Sequence, residues 1–97
     1  MIITILPSAM DDLCAGRSFY EKQGKELGDY FFDSLFSDID SLLLFAGIHE
    51  KHFGYHRFLS KRFPYAVYYK LDVDVAVVWR VLDLRRHPDT IRKALKG

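Results

Sequence analysis

The apolar residues of this 97-residue chain change their spacing once, near residue 50, and that change restricts the fold to a mixed one. Before it, Leu27, Phe31, Leu35, Ile39, Leu42 and Ala46 recur every three or four residues, the period of a helix with one buried stripe. Asp29, Asp33, Ser37 and Asp40 fall on the opposite side. The spacing predicts a helix over 27–46, with Gly47 placed to end it in a left-handed turn. A shorter helix is expected over 9–23, with Leu13, Gly16 or Arg17, and Tyr20 turned inward. Ser8 stands three residues before Asp11, the spacing of an N-terminal cap. Gly24 and Gly28 bracket a break, so the two helices form an antiparallel hairpin.

Beyond a polar loop at 49–54, the segments Tyr55–Ser60, Phe63–Leu71 and Val75–Asp83 are rich in Tyr, Val, Phe and Trp, which favour strands. Asp72-Val73-Asp74 is the only tight turn between the last two, which therefore pair as a hairpin. A three-residue turn sets Leu71 opposite Val75, Ala66 opposite Arg80 and Tyr68 opposite Val78. Residues 2–6 are β-branched and apolar, a short strand stopped by Pro7, and Pro88 opens a short C-terminal helix. The order β-α-α-β-β-β-α gives an α+β class: a small antiparallel-rich twisted sheet with the N-terminal helical hairpin on one face. A chain of this length forms one domain, 1–97, with a single modest core.

Alternation on the last strand puts Val75, Val77, Trp79 and Val81 in one row and Ala76, Val78, Arg80 and Leu82 in the other. Both rows are apolar enough that neither sheet face belongs in water. The hairpin covers one face, and the last helix is too short to cover all of the other. A partner protein chain is expected there, with the last helix or a homodimer as the alternative cover.

The net charge of +1 hides a polarised chain. Residues 1–50 hold three Lys/Arg against nine Asp/Glu, a net of −6, and residues 51–97 hold eleven against four, a net of +7. Strand parity puts Arg80 and Arg86 on one face, with Arg57, Lys61 or Arg62 near them from the preceding strands. With Arg85 these residues form the expected basic face for an anionic target, since guanidinium forks match phosphate and carboxylate. The alternative is that acids of the first half neutralise them.

Other chemistry is thinly represented. The single cysteine, Cys14, excludes a disulfide framework, fits a reducing cytoplasm and reads as a small core residue. His49, His52 and His56 have ligand-like spacing with Glu50 among them, but they straddle a loop between Gly47 and Gly54, so no metal is expected. Tyr65, Tyr68 and Tyr69 read as core or partner contacts. There is no Gly-rich phosphate loop, no cofactor is implied, and neither a membrane span nor a secretion signal is expected.

The stretch Arg-Phe-Pro-Tyr-Ala-Val-Tyr-Tyr at 62–69, followed by Arg-Val-Leu-Asp-Leu-Arg-Arg-His-Pro at 80–88, resembles the RelE/ParE superfamily, the toxins of bacterial type II toxin–antitoxin modules. Phe19-Tyr20-Glu21 at the close of the first helix fits the same likeness, which covers nearly the whole chain. The resemblance implies a β-α-α-β-β-β core and a cognate antitoxin whose C-terminal segment folds across the toxin. It implies one of two targets. ParE-like members poison DNA gyrase. RelE-like members cut mRNA on the ribosome without a metal, and for that activity Arg57, Arg80, Arg86 and His87 are the candidates here, with Arg86 matching an Arg that RelE-like members carry at the end of the last strand. This chain has Ala66 where RelE-like nucleases typically carry an Arg, and its net charge is low for them, which favours the ParE-like side. The antitoxin groove expected on this reading contains Tyr68, Val78, Leu82 and Leu84. A non-toxic antitoxin-binding module is the remaining alternative, and either a homodimer or a toxin–antitoxin hetero-oligomer fits.

Overall fold

The computed structural model describes residues 1–96. Along the chain run β1 (Ile2–Ile5), α1 (Pro7–Glu21), α2 (Leu27–Asp40), α3 (Leu42–Phe45), β2 (Lys51–His52), β3 (Tyr55–Leu59), β4 (Tyr65–Asp72), β5 (Val75–Asp83) and α4 (Pro88–Lys96). The fold is α+β, a helical hairpin against a sheet of order β1-β5-β4-β3-β2. β1 lies parallel to β5, and the other neighbours are antiparallel.

The hairpin side holds the larger core. α1 buries Ala9, Leu13, Gly16 and Tyr20, and α2 buries Phe31, Leu35 and Ile39. They pack on Val67, Tyr69, Ala76, Val78 and Val81 of the sheet. The two helices approach closely because Gly28 has no side chain: a Cβ there would stand 2.5 Å from the Arg17 carbonyl oxygen. Cys14 is exposed rather than in the core, since it follows Leu13 by about 100° of helix rotation and Leu13 holds the inward position.

Local hydrogen bonding moves several expected boundaries. α1 begins at Pro7, whose missing N–H costs nothing in a first turn. Ser8 does not cap it, and its hydroxyl instead donates to the Trp79 carbonyl at 3.2 Å. The long helix expected over 27–46 stops at Asp40. Ser41 Oγ there donates to the Asp38 carbonyl at 2.6 Å, and α3 follows as a separate short turn. Gly47 is left-handed (φ 97°) but lies in the connection beyond α3. The expected loop at 49–54 contains β2, which turns back into β3 through Phe53-Gly54.

The register of β4 and β5 also differs. Asp72 pairs with Val75, so the turn is two residues long and Leu71 faces Ala76. A bulge then lets Tyr69 face Val78 while its neighbour Tyr68 faces Arg80. Trp79 is the extra residue, and beyond it the alternation changes sides. Val78 and Val81 therefore both join the hairpin core, and Ala66 faces Leu82. The two unbroken rows expected for this strand do not exist.

The opposite face is not left open. Tyr55, Ala66, Tyr68 and Leu82 are covered by Ile91 and Leu95 of α4, with Trp79, Leu84 and Ala94 alongside. A helix of nine residues suffices because it runs back along the sheet and places an i, i+4 apolar pair on it.

Candidate functional site

β3, β4 and β5 set Arg57, Tyr68 and Arg80 in one cross-strand row beneath and beside α4. Tyr68 is almost fully buried. Burial pushes its hydroxyl above the usual tyrosine pKa, and Arg57 beside it partly offsets that. Arg80 is a structural clamp. Its Nε and Nη2 donate to the Asp12 carboxylate at 2.7 and 2.9 Å, and Nη1 donates to the Ala94 carbonyl at 3.0 Å. Asp12 Oδ2 also accepts the Val81 N–H at 3.0 Å. The reason lies in strand length: β1 pairs with β5 only as far as Val78, so Asp12 of α1 supplies the acceptor a longer neighbour would have offered.

α4 is thus tied down near its C-terminal end by Arg80 and by the Tyr55 hydroxyl, which donates to the Leu95 carbonyl at 2.9 Å. Its N-terminus is capped by His87, whose Nδ1 accepts the Asp89 N–H at 3.1 Å. The His87 carbonyl accepts from Thr90.

The remaining cations fall elsewhere. Lys61 and Arg62 stand exposed on the β3–β4 loop. Asp38, buried at the end of α2, holds that loop: its Oδ2 accepts the Ser60 hydroxyl at 2.7 Å and the Lys61 N–H at 3.4 Å. Arg85 is bound to Asp83, with Nη2 at 2.7 Å, and this hydrogen bond holds the Asp83 carboxyl below the usual range. Arg86 is exposed and lines a cleft of about 330 Å³ with Asp12, Phe19, Tyr65, Leu82 and Asp83. Tyr65 stays protonated at this cleft, its pKa pushed up to about 12 by burial first and then by Asp83 and Tyr20.

The structure therefore divides the six basic residues among three places. Arg57 and Arg80 lie on the α4 side, Lys61 and Arg62 on the β3–β4 loop, and Arg85 and Arg86 after β5. Among the described residues Arg57, Lys61, Arg62 and Arg86 form no ion pair, whereas Arg80 and Arg85 do. Of the expected groove residues, Tyr68 and Leu82 lie under α4 with Leu84 beside them. Val78 belongs to the hairpin core instead, because the bulge at Trp79 reverses the alternation. Arg80, expected to project freely, is instead bound to Asp12. The acidic half does reach this guanidinium.

Sequence reading missed the residues that position this region: Asp12, Asp38, Tyr55 and the Ile91/Leu95 pair. Only the last had a signal, two apolar residues four apart in a polar helix. The three loop histidines do not converge. His49 Nδ1 meets the Tyr69 hydroxyl, and His56 Nδ1 donates to the His49 carbonyl at 2.7 Å. Among the described residues no three His, Cys, Asp or Glu side chains gather as a metal site, and no helix is long and apolar enough to cross a membrane.

No protein-family model and no curated protein matches the sequence. Among solved structures, a chain of the "Chromosomal ParDE TA system from P. aeruginosa" is similar, with a TM-score of 0.78 at 16% identity over 87% of this chain and 96% of that chain. The two chains share a fold across nearly their whole lengths.

Proposed function

We propose that this chain is the toxin of a bacterial toxin–antitoxin pair, that a cognate antitoxin neutralises it, and that its target is DNA gyrase. The observation that carries the reading is the fold shared with a chain of a ParDE TA system at a TM-score of 0.78. The motifs at 62–69 and 80–88 point the same way.

Gyrase is favoured over ribosome-bound mRNA by what the cations are doing. Cutting RNA without a metal needs free charge for the phosphorane and a free group to move protons. Arg80 spends its donors on Asp12 and Ala94, and the cap on α4 occupies Nδ1 of His87 and leaves only Nε2 free. That leaves Arg57 and Arg86 of the four candidates without such ties. A protein target asks less: Arg62 and Arg86 stand in solvent as contacts for an acidic surface.

The antitoxin reading follows from α4. A helical segment that reaches Tyr68 and Leu82 would take the place of Ile91 and Leu95 with its own apolar pair at i, i+4. Acidic residues beside that pair would meet Arg57 and Arg86.

Induced expression of the chain alone is expected to stop bacterial growth. Co-expression of a small open reading frame beside its gene is expected to restore it. Normal growth with the protein present in the cells would leave only the non-toxic binding module. Translation-dependent cuts within mRNA codons, lost in Arg86→Ala, would establish the nuclease instead.

A further inference from the structure

α3 and the connection from it to β2 display a run of apolar side chains: in α3 Leu44 is 82% exposed and Leu43 and Phe45 about half, and in the connection Ile48 is 73% exposed. A short chain of hydrogen bonds holds this connection to the sheet. Tyr69 is wholly buried in the hairpin-side core, with its hydroxyl at the connection. That oxygen accepts the Gly47 N–H at 2.9 Å and meets His49 Nδ1. With one bond accepted, the hydroxyl has its own proton to give, and Nδ1 is the acceptor. His49 is therefore the neutral tautomer with its proton on Nε2. Its ring stacks on Phe58, 4.6 Å between centroids, and its carbonyl accepts from His56 Nδ1.

A proton added to His49 Nδ1 turns that acceptor into a donor. It then faces a hydroxyl already occupied by Gly47, and the Tyr69 proton is left without an acceptor beside an apolar core. His56 differs, because its Nδ1 already donates and protonation at Nε2 leaves that bond intact.

We propose that the Gly47–Tyr69–His49 chain is an acid-sensitive latch, closed while His49 is neutral and opened by its protonation, which frees residues 46–48 and the exposed Ile48 side chain they carry, while the His49 and Glu50 carbonyls stay bonded to β3. The groups around His49 are few. Tyr69 comes from β4, His56 from β3 and Lys61 from the β3–β4 loop, where it shares a cleft with His49, Phe45 and Ile48. Glu50 is adjacent in sequence, with its carboxylate 3.9 Å from His52, and Asp38 is taken up by Ser60 and the Lys61 amide. Burial, and then His56, hold the His49 pKa below 6.5. The released segment therefore takes the proton first, and opening grows as pH falls below 6.5.

The test is amide exchange at Gly47, corrected for the intrinsic exchange rate at each pH, alongside NMR titration of the histidine rings. At neutral pH His49 is expected as the Nε2–H tautomer. Gly47 protection is expected to fall about tenfold per pH unit between the released and latched pKa values of His49, as one linked proton requires. Val67 and Val81 in the sheet should stay protected, which separates latch opening from unfolding. His49→Gln offers Tyr69 an acceptor that does not titrate, so protection should become independent of pH. Tyr69→Phe keeps the ring and should remove Gly47 protection at every pH. Protection that stays flat while wild-type His49 titrates, follows His56, or remains pH-dependent in His49→Gln would overturn the proposal.

Discussion

Arg80 joins three elements through one side chain: β5 that carries it, α1 through Asp12, and α4 through the Ala94 carbonyl. Removing it leaves a partly buried carboxylate facing the Val81 N–H alone. Arg80→Ala is expected to cost about 2–3 kcal/mol in urea unfolding, the range for lost hydrogen bonds to charged groups. Arg80→Lys should recover only part of that, since an ammonium cannot fork across Asp12 and reach Ala94 together. Arg86→Ala, at an exposed side chain, should change stability by less than about 0.5 kcal/mol. Loss of activity in Arg86→Ala would therefore report on the target surface, and in Arg80→Ala on the fold. Burial raises the pKa of Tyr65, Tyr68 and Tyr69. Tyr65 ionises near pH 10 in the unfolded chain and near 12 in the folded one, so its contribution is intact below pH 10 and is lost as pH rises through about 12. Tyr68 and Tyr69 are raised as well and act in the same direction. Tyr65→Phe is expected to flatten the fall in stability measured between pH 10 and 12.

At the scale of elements, α4 is the part most easily separated from the rest. It buries two side chains, Ile91 and Leu95, whereas α1 and α2 share the large core with three strands. Leu95→Ala should cost about 2–3 kcal/mol if α4 stays docked, as for other buried leucines. Release of α4 instead caps the loss near the free energy that holds α4 down. Hydrogen exchange should show residues 89–96 losing protection while β4 and β5 keep theirs. Equal loss throughout would mean that α4 is inseparable from the domain.

The elements also show where sequence was informative. The helical period of 27–46 and the Tyr/Val-rich segments locate the hairpin and three strands, because each signal is local, although α2 ends at Asp40 and not at Ala46. The bulge at Trp79 was not legible, since inserting one residue leaves the composition of the strand unchanged. Without it, Val78 and Arg80 were placed on one face, and the expected groove and basic surface both inherited that error. The clamp on Arg80 was hidden for a different reason. Asp12 is one of two adjacent acids in a helix, 68 residues from its partner, and nothing in the local pattern distinguishes it from Asp11.

For the whole molecule, the polarity of the chain survives folding. Among Lys/Arg ion pairs of the described residues, only Arg80–Asp12 joins the basic half to the acidic half, while Arg17–Asp29, Arg85–Asp83 and Arg92–Asp89 each stay within one. The basic half is therefore largely available to a partner, and salt should weaken whatever binds it. α4 covers the apolar face that first suggested a partner, so a partner on that face competes with the chain's own helix. The proposed reading, a toxin that acts by protein contact, is supported by the fold likeness and by the engagement of Arg80 in structural bonds. The most direct measurement is DNA supercoiling by purified gyrase with this protein added. The expected result is loss of supercoiling with accumulation of cleaved DNA, prevented by prior addition of the antitoxin. Undiminished supercoiling at a molar excess of folded protein would contradict it.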